Sequence, residues 1–268
     1  MEINGLKYNV KIDGEGIPFI WGHGLTMNMA VEDALNIFRW AEVREAARVI
    51  RYDARGHGLT GATYHPEDYI WSNLARDMIQ IADKIDPGPF VAGGQSMGCA
   101  TAVNAALSQP GRVQALVLVN PTTAWETRPA QAAQYRRSAE IAEKLGPGKL
   151  ASAMKRVPTG MMPAYVVASV GGRMEAVYEN LSLYDRQVLV NLYEGAALSD
   201  LPPREDIARI KLPALILAWE DDKVHPTASA YALLALMPQS ELVIAGDISE
   251  VGQWPDRIKA FLRINTFR

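Results

Sequence analysis

The chain has 268 residues, with 27 Lys and Arg against 30 Asp and Glu, a formal net charge of -3 and 49% hydrophobic residues. This is the composition of a globular protein with a substantial core, and without a basic excess it argues against nucleic acid or an anionic membrane as the main partner. No apolar run is long enough to span a bilayer, Met1-Glu2-Ile3-Asn4-Gly5 carries no secretory pattern and the one cysteine, Cys99, has no partner for an internal disulfide, so a cytoplasmic protein that binds no membrane is expected.

In chain order, residues 6–13 alternate like a half-buried strand, and Gly14-Glu15-Gly16 turns it back. Residues 18–21 and 48–52 read as further strands. Residues 73–85 have helical spacing, with Leu74, Met78, Ile81 and Ile85 on one side. A short apolar strand at 90–92 precedes a helix at 99–107, and a buried-type strand covers 113–119. The chain from 122 to 205 breaks this rhythm. It lacks clear strands and looks helical, best at 131–145. Regular alternation returns with a strand at 214–219, a helix at 227–236, a strand at 242–244 and a helix at 255–262.

Strands alternating with helices, several of them continuously apolar, predict an α/β fold: a mostly parallel central sheet with helices on both faces. The expected organisation is a core in two parts, residues 1–121 and 206–268, with an inserted helical cap at 122–205.

Between the strand at 90–92 and the helix at 99–107 stands Gly94-Gln95-Ser96-Met97-Gly98, a G-x-S-x-G motif. On a sharp strand-to-helix turn the serine is held exposed and strained, the glycines permit close backbone approach, and the helix N-terminus aims N–H groups at a developing oxyanion. Three further segments stand out: Trp21-Gly22-His23-Gly24-Leu25, Tyr52-Asp53-Ala54-Arg55-Gly56-His57-Gly58, and Glu220-Asp221-Asp222-Lys223-Val224-His225-Pro226.

With these four segments in this order, the chain resembles the serine-nucleophile branch of the α/β-hydrolase family over nearly its whole length. The resemblance implies Ser96 as nucleophile and the backbone N–H groups of Leu25 and Met97 as the oxyanion hole. It implies Asp222 as the acid, with Asp221 the alternative register. It implies no cofactor and no metal. The match fails at one point. Such proteins end their triad with a histidine after the last strand, and residues 245–255 contain none; Ile248 stands near the expected place. An unassisted serine is a weak nucleophile at neutral pH.

Four histidines are available. His23 and His57 sit in motifs where the family uses histidine for loop structure, and His65 reads as a surface residue. His225 is either a displaced base or a packing residue at the start of the helix that Pro226 opens. Asp247 and Glu250 are carboxylates in the loop where the base is missing. Trp219 stands where the family has glycine and is expected to narrow the pocket. Met154, Met161, Met162 and Met174 gather with Tyr165 and Tyr178 in the helical segment. They read as ordinary core, or at most as the lining for an apolar ligand.

Three functions remain open at this point: a hydrolase of a small ester, lactone or carbon–carbon substrate acting through Ser96; an impaired relative that binds a small apolar ligand; and a lyase or isomerase using the same pocket. Each implies a small-molecule partner. The oligomeric state is undetermined by the sequence.

Overall fold

Chain segments with unbroken apolar runs become the parallel centre of a seven-stranded sheet. The structure, a computed structural model, describes residues 1–265. A small hairpin of β1 (Glu2–Ile3) and β2 (Leu6–Lys7) opens the chain. The large sheet holds β3 (Val10–Asp13), β4 (Pro18–Gly22), β5 (Arg48–Tyr52), β6 (Phe90–Gln95), β7 (Val113–Val119), β8 (Ala214–Trp219) and β9 (Ser240–Ala245) in the order β3-β5-β4-β6-β7-β8-β9. Only β3 runs antiparallel to its neighbour.

The strand expected over residues 6–13 is split in two. Asn4 and Gly5 both adopt left-handed backbone, with φ of 51° and 77°. Two such residues make the tight turn that matches strand twist, so Leu6–Lys7 pairs back onto Glu2–Ile3 and β3 starts separately.

β6, β7 and β8 are covered on both faces, which is why they read as continuous apolar runs. Alternate residues feed opposite cores. Ala92, Leu116, Leu118 and Ile216 face one core, which packs against α3 (Trp71–Ile85) and α4 (Met97–Ser108). Val91, Val117, Val119, Leu217 and Trp219 face the other. That core takes in α1 (Met29–Leu35), α2 (Trp40–Val43) and α13 (Trp254–Asn265). The sequence reading did not anticipate α1 and α2.

Between β7 and β8 lie α5 (Arg128–Leu145), α6 (Pro147–Lys155), α7 (Ala164–Val170), α8 (Glu175–Ser182), α9 (Arg186–Leu198) and α10 (Arg204–Ile207). In α5 the buried residues Ala132, Tyr135, Ala139 and Ala142 recur at helical spacing and form a third core with Leu189, Tyr193 and Ala196 of α9. Arg128 ties the two helices together. Its buried guanidinium donates to the Ser199 carbonyl at 2.6 Å and to that of Ala196, and lies 4.3 Å from the Trp71 ring centre. The other helices of this segment are built into the body of the protein: Val166 and Val170 of α7 and Val177 of α8 pack in the same core as Trp21 and Trp219, and Ile207 of α10 packs in the first core. After β8 come α11 (Thr227–Leu236), β9 and the short α12 (Ile248–Val251). No helix of the described residues is long and apolar enough to cross a membrane.

Candidate active site

The turn between β6 and α4 is packed too tightly for side chains at its glycines. A Cβ on Gly98 would lie 1.9 Å from the Gly22 carbonyl oxygen, and one on Gly94 would lie 2.3 Å from the Gly98 carbonyl carbon. The close approach of α4 to β4 forces Ser96 into left-handed backbone, φ 55° and ψ -111°. A non-glycine residue there costs on the order of 1–3 kcal/mol and persists only where its surroundings enforce it. Here the Ser96 N–H donates to the Val119 carbonyl at 3.0 Å.

Beyond β8, Asp222 organises a four-residue turn. Its Oδ1 accepts the backbone N–H groups of Val224 at 2.7 Å and His225 at 3.0 Å. These bonds fold the chain back so that the His225 ring returns to its own aspartate, with Nδ1 at 2.7 Å from Oδ2. Trp219 Nε1 donates to the same Oδ2. A carboxylate only accepts, so Nδ1 carries the imidazole proton and Nε2 is left bare in the neutral ring. Nε2 stands 2.8 Å from Ser96 Oγ. Ser96, Asp222 and His225 are each 8% exposed. Burial pushes the Asp222 carboxyl up, but His225 and the donors from Trp219 and the backbone outweigh it and leave the group at about 2.

The loop carrying Leu25 lies against this turn. A Cβ on Gly24 would be 3.7 Å from Ser96 Cβ. The loop is held by two buried histidines whose ring nitrogens are all engaged with backbone. His23 Nε2 accepts from Ala54 N–H at 2.9 Å, so its Nδ1 donates to the Gly24 carbonyl at 2.8 Å. His57 Nε2 accepts from Thr26 N–H at 3.3 Å, and its Nδ1 donates to the Arg55 carbonyl at 2.9 Å. Burial lowers both, His57 to about 3, with His23 beside it adding to the effect. Asn180 donates to the Thr26 carbonyl at 2.8 Å. The peptide that carries the Leu25 N–H is therefore held through its Gly24 carbonyl and the next one through its Thr26 N–H, and the Met97 N–H opens α4 with no carbonyl four residues back inside the helix.

Asp222 makes its contacts within its own loop. Asp247 and Glu250 are exposed and occupied locally, Asp247 capping α12 by accepting from Glu250 N–H at 3.0 Å and Glu250 accepting from Gly246 N–H at 2.7 Å. Ile248 is 39% exposed. Asp222, not the exposed Asp221, is the aspartate that meets His225, and His65 is exposed as expected.

A cavity of about 800 Å³ lies over Ser96. Leu25, Trp219 and His225 line its floor. Met154, Met161 and Met162 reach it, but Met174 and Tyr178 are buried in the second core. Tyr165 spends its hydroxyl on the Ala245 carbonyl, donating at 2.7 Å. Trp219 lines the cavity, and its hydrogen bond to Asp222 was missed. Also missed was the polar face of α5, which presents Gln131, Gln134 and Ser138 to the cavity; their spacing of three and four is visible in the sequence.

The family profile described as serine aminopeptidase, S33, matches residues 41–245. The chain belongs to the α/β-hydrolase family. Among relatives of this α/β hydrolase, a 2-(acetamidomethylene)succinate hydrolase from Mesorhizobium japonicum is 24% identical over 254 residues, covering 91% of this chain and 85% of the relative. Two solved structures share the fold. The enol-lactonase from Burkholderia xenovorans LB400 superposes with a TM-score of 0.78 at 23% identity, covering 98% of this chain and 96% of the other. A hydrolase from Pseudomonas aeruginosa PA01 gives 0.80 at 22% identity, covering 99% and 96%.

Proposed function

We propose that this chain is a cofactor-independent serine hydrolase of small esters or lactones, a wider form of the reading extending to carbon–carbon bonds beside a carbonyl. Ser96 is the nucleophile, His225 the general base, and Asp222 the acid that orients it. The observation that carries the reading is the contact of 2.8 Å between His225 Nε2 and Ser96 Oγ, with the other ring nitrogen on Asp222.

As Oγ attacks the substrate carbonyl carbon, its proton passes to Nε2. Asp222 stays ionised and stabilises the imidazolium. The carbonyl oxygen gains negative charge and accepts from the N–H groups of Leu25 and Met97, a stabilisation of about 3 kcal/mol per donor in comparable sites. Collapse expels the alcohol, which takes the proton from Nε2 and leaves an acyl group on Ser96. Water, deprotonated by the same Nε2, then attacks the acyl carbon, and Oγ recovers its proton as the acid leaves.

Helices α5 and α6 roof the cavity, which supports reading residues 122–205 as a cap over the core parts 1–121 and 206–268. The buried free Cys99 suits a reducing cytoplasm. A ligand-binding protein without turnover, or a lyase that bypasses the serine, is disfavoured because the base is already bonded to the nucleophile. The test is labelling by a fluorophosphonate. Ser96 is expected to label rapidly, and Ser96→Ala and His225→Ala to lose nearly all labelling. Labelling undiminished in His225→Ala would remove His225 as the base.

A further inference from the structure

We infer that the substrate carries a carboxylate, or an equivalent single anionic group, and that Lys223 recognises it. The inference rests on the hydrolase reading and names the substrate class of the same cavity.

Lys223 is the one formally charged side chain among the cavity-lining residues apart from the titratable His225; no Asp, Glu or Arg lines it. Among the described residues Lys223 has no ion pair, although the chain forms many on its surface. Of the acids near it in sequence, Asp221 is exposed and forms no ion pair with Lys223 among the described residues. Asp222 is committed to His225, and Glu220 faces Gly246, where an added Cβ would lie 3.2 Å from its Oε2. Lys223 is exposed and also lines the cavity, where it is the one cationic residue that can offer a charge to an anionic substrate. One residue separates Lys223 from His225, which puts their Cα atoms at most about 7 Å apart, so the charge lies within a side chain's reach of the reacting centre. A free carboxylate a few bonds from the scissile carbonyl can therefore meet it.

The rest of the lining continues the pattern. Gln131, Gln134 and Ser138 lie on one face of α5, line the cavity and take no hydrogen bond from the rest of the described protein. Against them stand Met154, Met161 and Met162. The cavity thus offers one cation, a row of neutral hydrogen-bonding groups and an apolar wall. The proposal adds a charged group to the apolar ligand expected from the sequence.

The test compares the 4-nitrophenyl esters of butyric acid and of glutaric acid, the second a monoanion. Their binding to the Ser96→Ala protein is followed by tryptophan fluorescence. The glutarate ester is expected to bind roughly tenfold more tightly, as for one charge-assisted contact. The preference should shrink as salt is raised, vanish in Lys223→Gln and survive in Lys223→Arg. Equal binding of the two esters, or a preference that persists in Lys223→Gln, overturns the proposal. The hydrolase reading is tested apart from this by turnover in the protein with Ser96 intact. A charge preference in binding without turnover of either ester keeps the ligand class and overturns the hydrolase.

Discussion

His225 reaches Ser96 because Asp222 folds the intervening turn. Two consequences can be measured. Substituting His225→Ala should lower kcat for 4-nitrophenyl butyrate by at least about 10³-fold, the scale seen when a triad histidine is lost. Ile248→His should leave the rate within about twofold, since the position beside Oγ is filled. A large gain from Ile248→His would mean that the base is missing and that His225 does not act. Asp222 also contributes to stability. Its pKa is held at about 2 in the fold and is about 3.9 when unfolded. The stabilisation is therefore present above pH 4 and lost as pH falls through about 2. It amounts to at most about 3 kcal/mol. Asp222→Asn should flatten the fall in urea stability between pH 4 and 2; an unchanged acid limb would count against this.

Ser96, Asp222 and His225 also show what could be read at this scale in advance. Ser96 was legible because its glycines are obligatory for packing. Asp222 was legible from its motif, and Asp221 had to be weighed because the two are adjacent. His225 was only one candidate of several. Its signal is local: an aspartate whose side chain accepts from the N–H groups two and three residues on will bring a histidine at the third position back to its own carboxylate. Without coordinates nothing tells whether that turn then points at the nucleophile, because the reach depends on how β8 sits two strands from β6.

At the level of elements, α1 is fastened to β4 by a buried polar pair. Trp21 Nε1 donates to Glu32 Oε1 at 2.9 Å, and Arg51 lies 3.9 Å from the other oxygen. Burial dominates and raises the Glu32 carboxyl to about 7, against the partial opposition of Trp21 and Arg51. For an acid raised in this way, stability is fully present below the unfolded value near 4.3 and is lost as pH rises through 7, by at most about 4 kcal/mol. Glu32→Gln keeps an acceptor for Trp21 and should remove this loss, so the variant gains on the parent in urea unfolding at pH 8 but not at pH 4. A parent whose stability is flat from pH 4 to 8 would contradict it. The central strands were legible because burial on both faces leaves an unbroken apolar run. The opening hairpin was not, although Asn4-Gly5 is a turn signal; the alternation continuing past Lys7 masked it. The short helices α1 and α2 were missed because seven and four residues hold too little periodicity to detect.

Across the whole molecule, the roof of the cavity depends on how α5 and α9 are held. Arg128 satisfies the carbonyls at the end of α9 without a carboxylate partner of its own among the described residues, and burial lowers its pKa. Arg128→Met would leave those carbonyls unpaired, at a cost of about 1–3 kcal/mol each. Hydrogen exchange is expected to quicken in α5 and α9 while β6 and β7 keep their protection. Uniform quickening would show instead that the helical segment and the sheet unfold as one unit. The α/β architecture was legible at this scale from the alternation of elements. The sharing of a core between α7, α8 and the sheet was not, because which face a helix buries against depends on chain geometry far from it in sequence.

The adjacency of Asp222 and His225 has a consequence for how such a protein can be rebuilt. On the triad reading, acid and base travel together as one short cassette between Trp219 and Pro226. A recombination breakpoint after α11 would exchange β9, α12 and α13 for a foreign terminus without separating any two of the three groups. Chimeras joined there should retain esterase activity whenever they fold, and the loop after β9 becomes free ground for insertions.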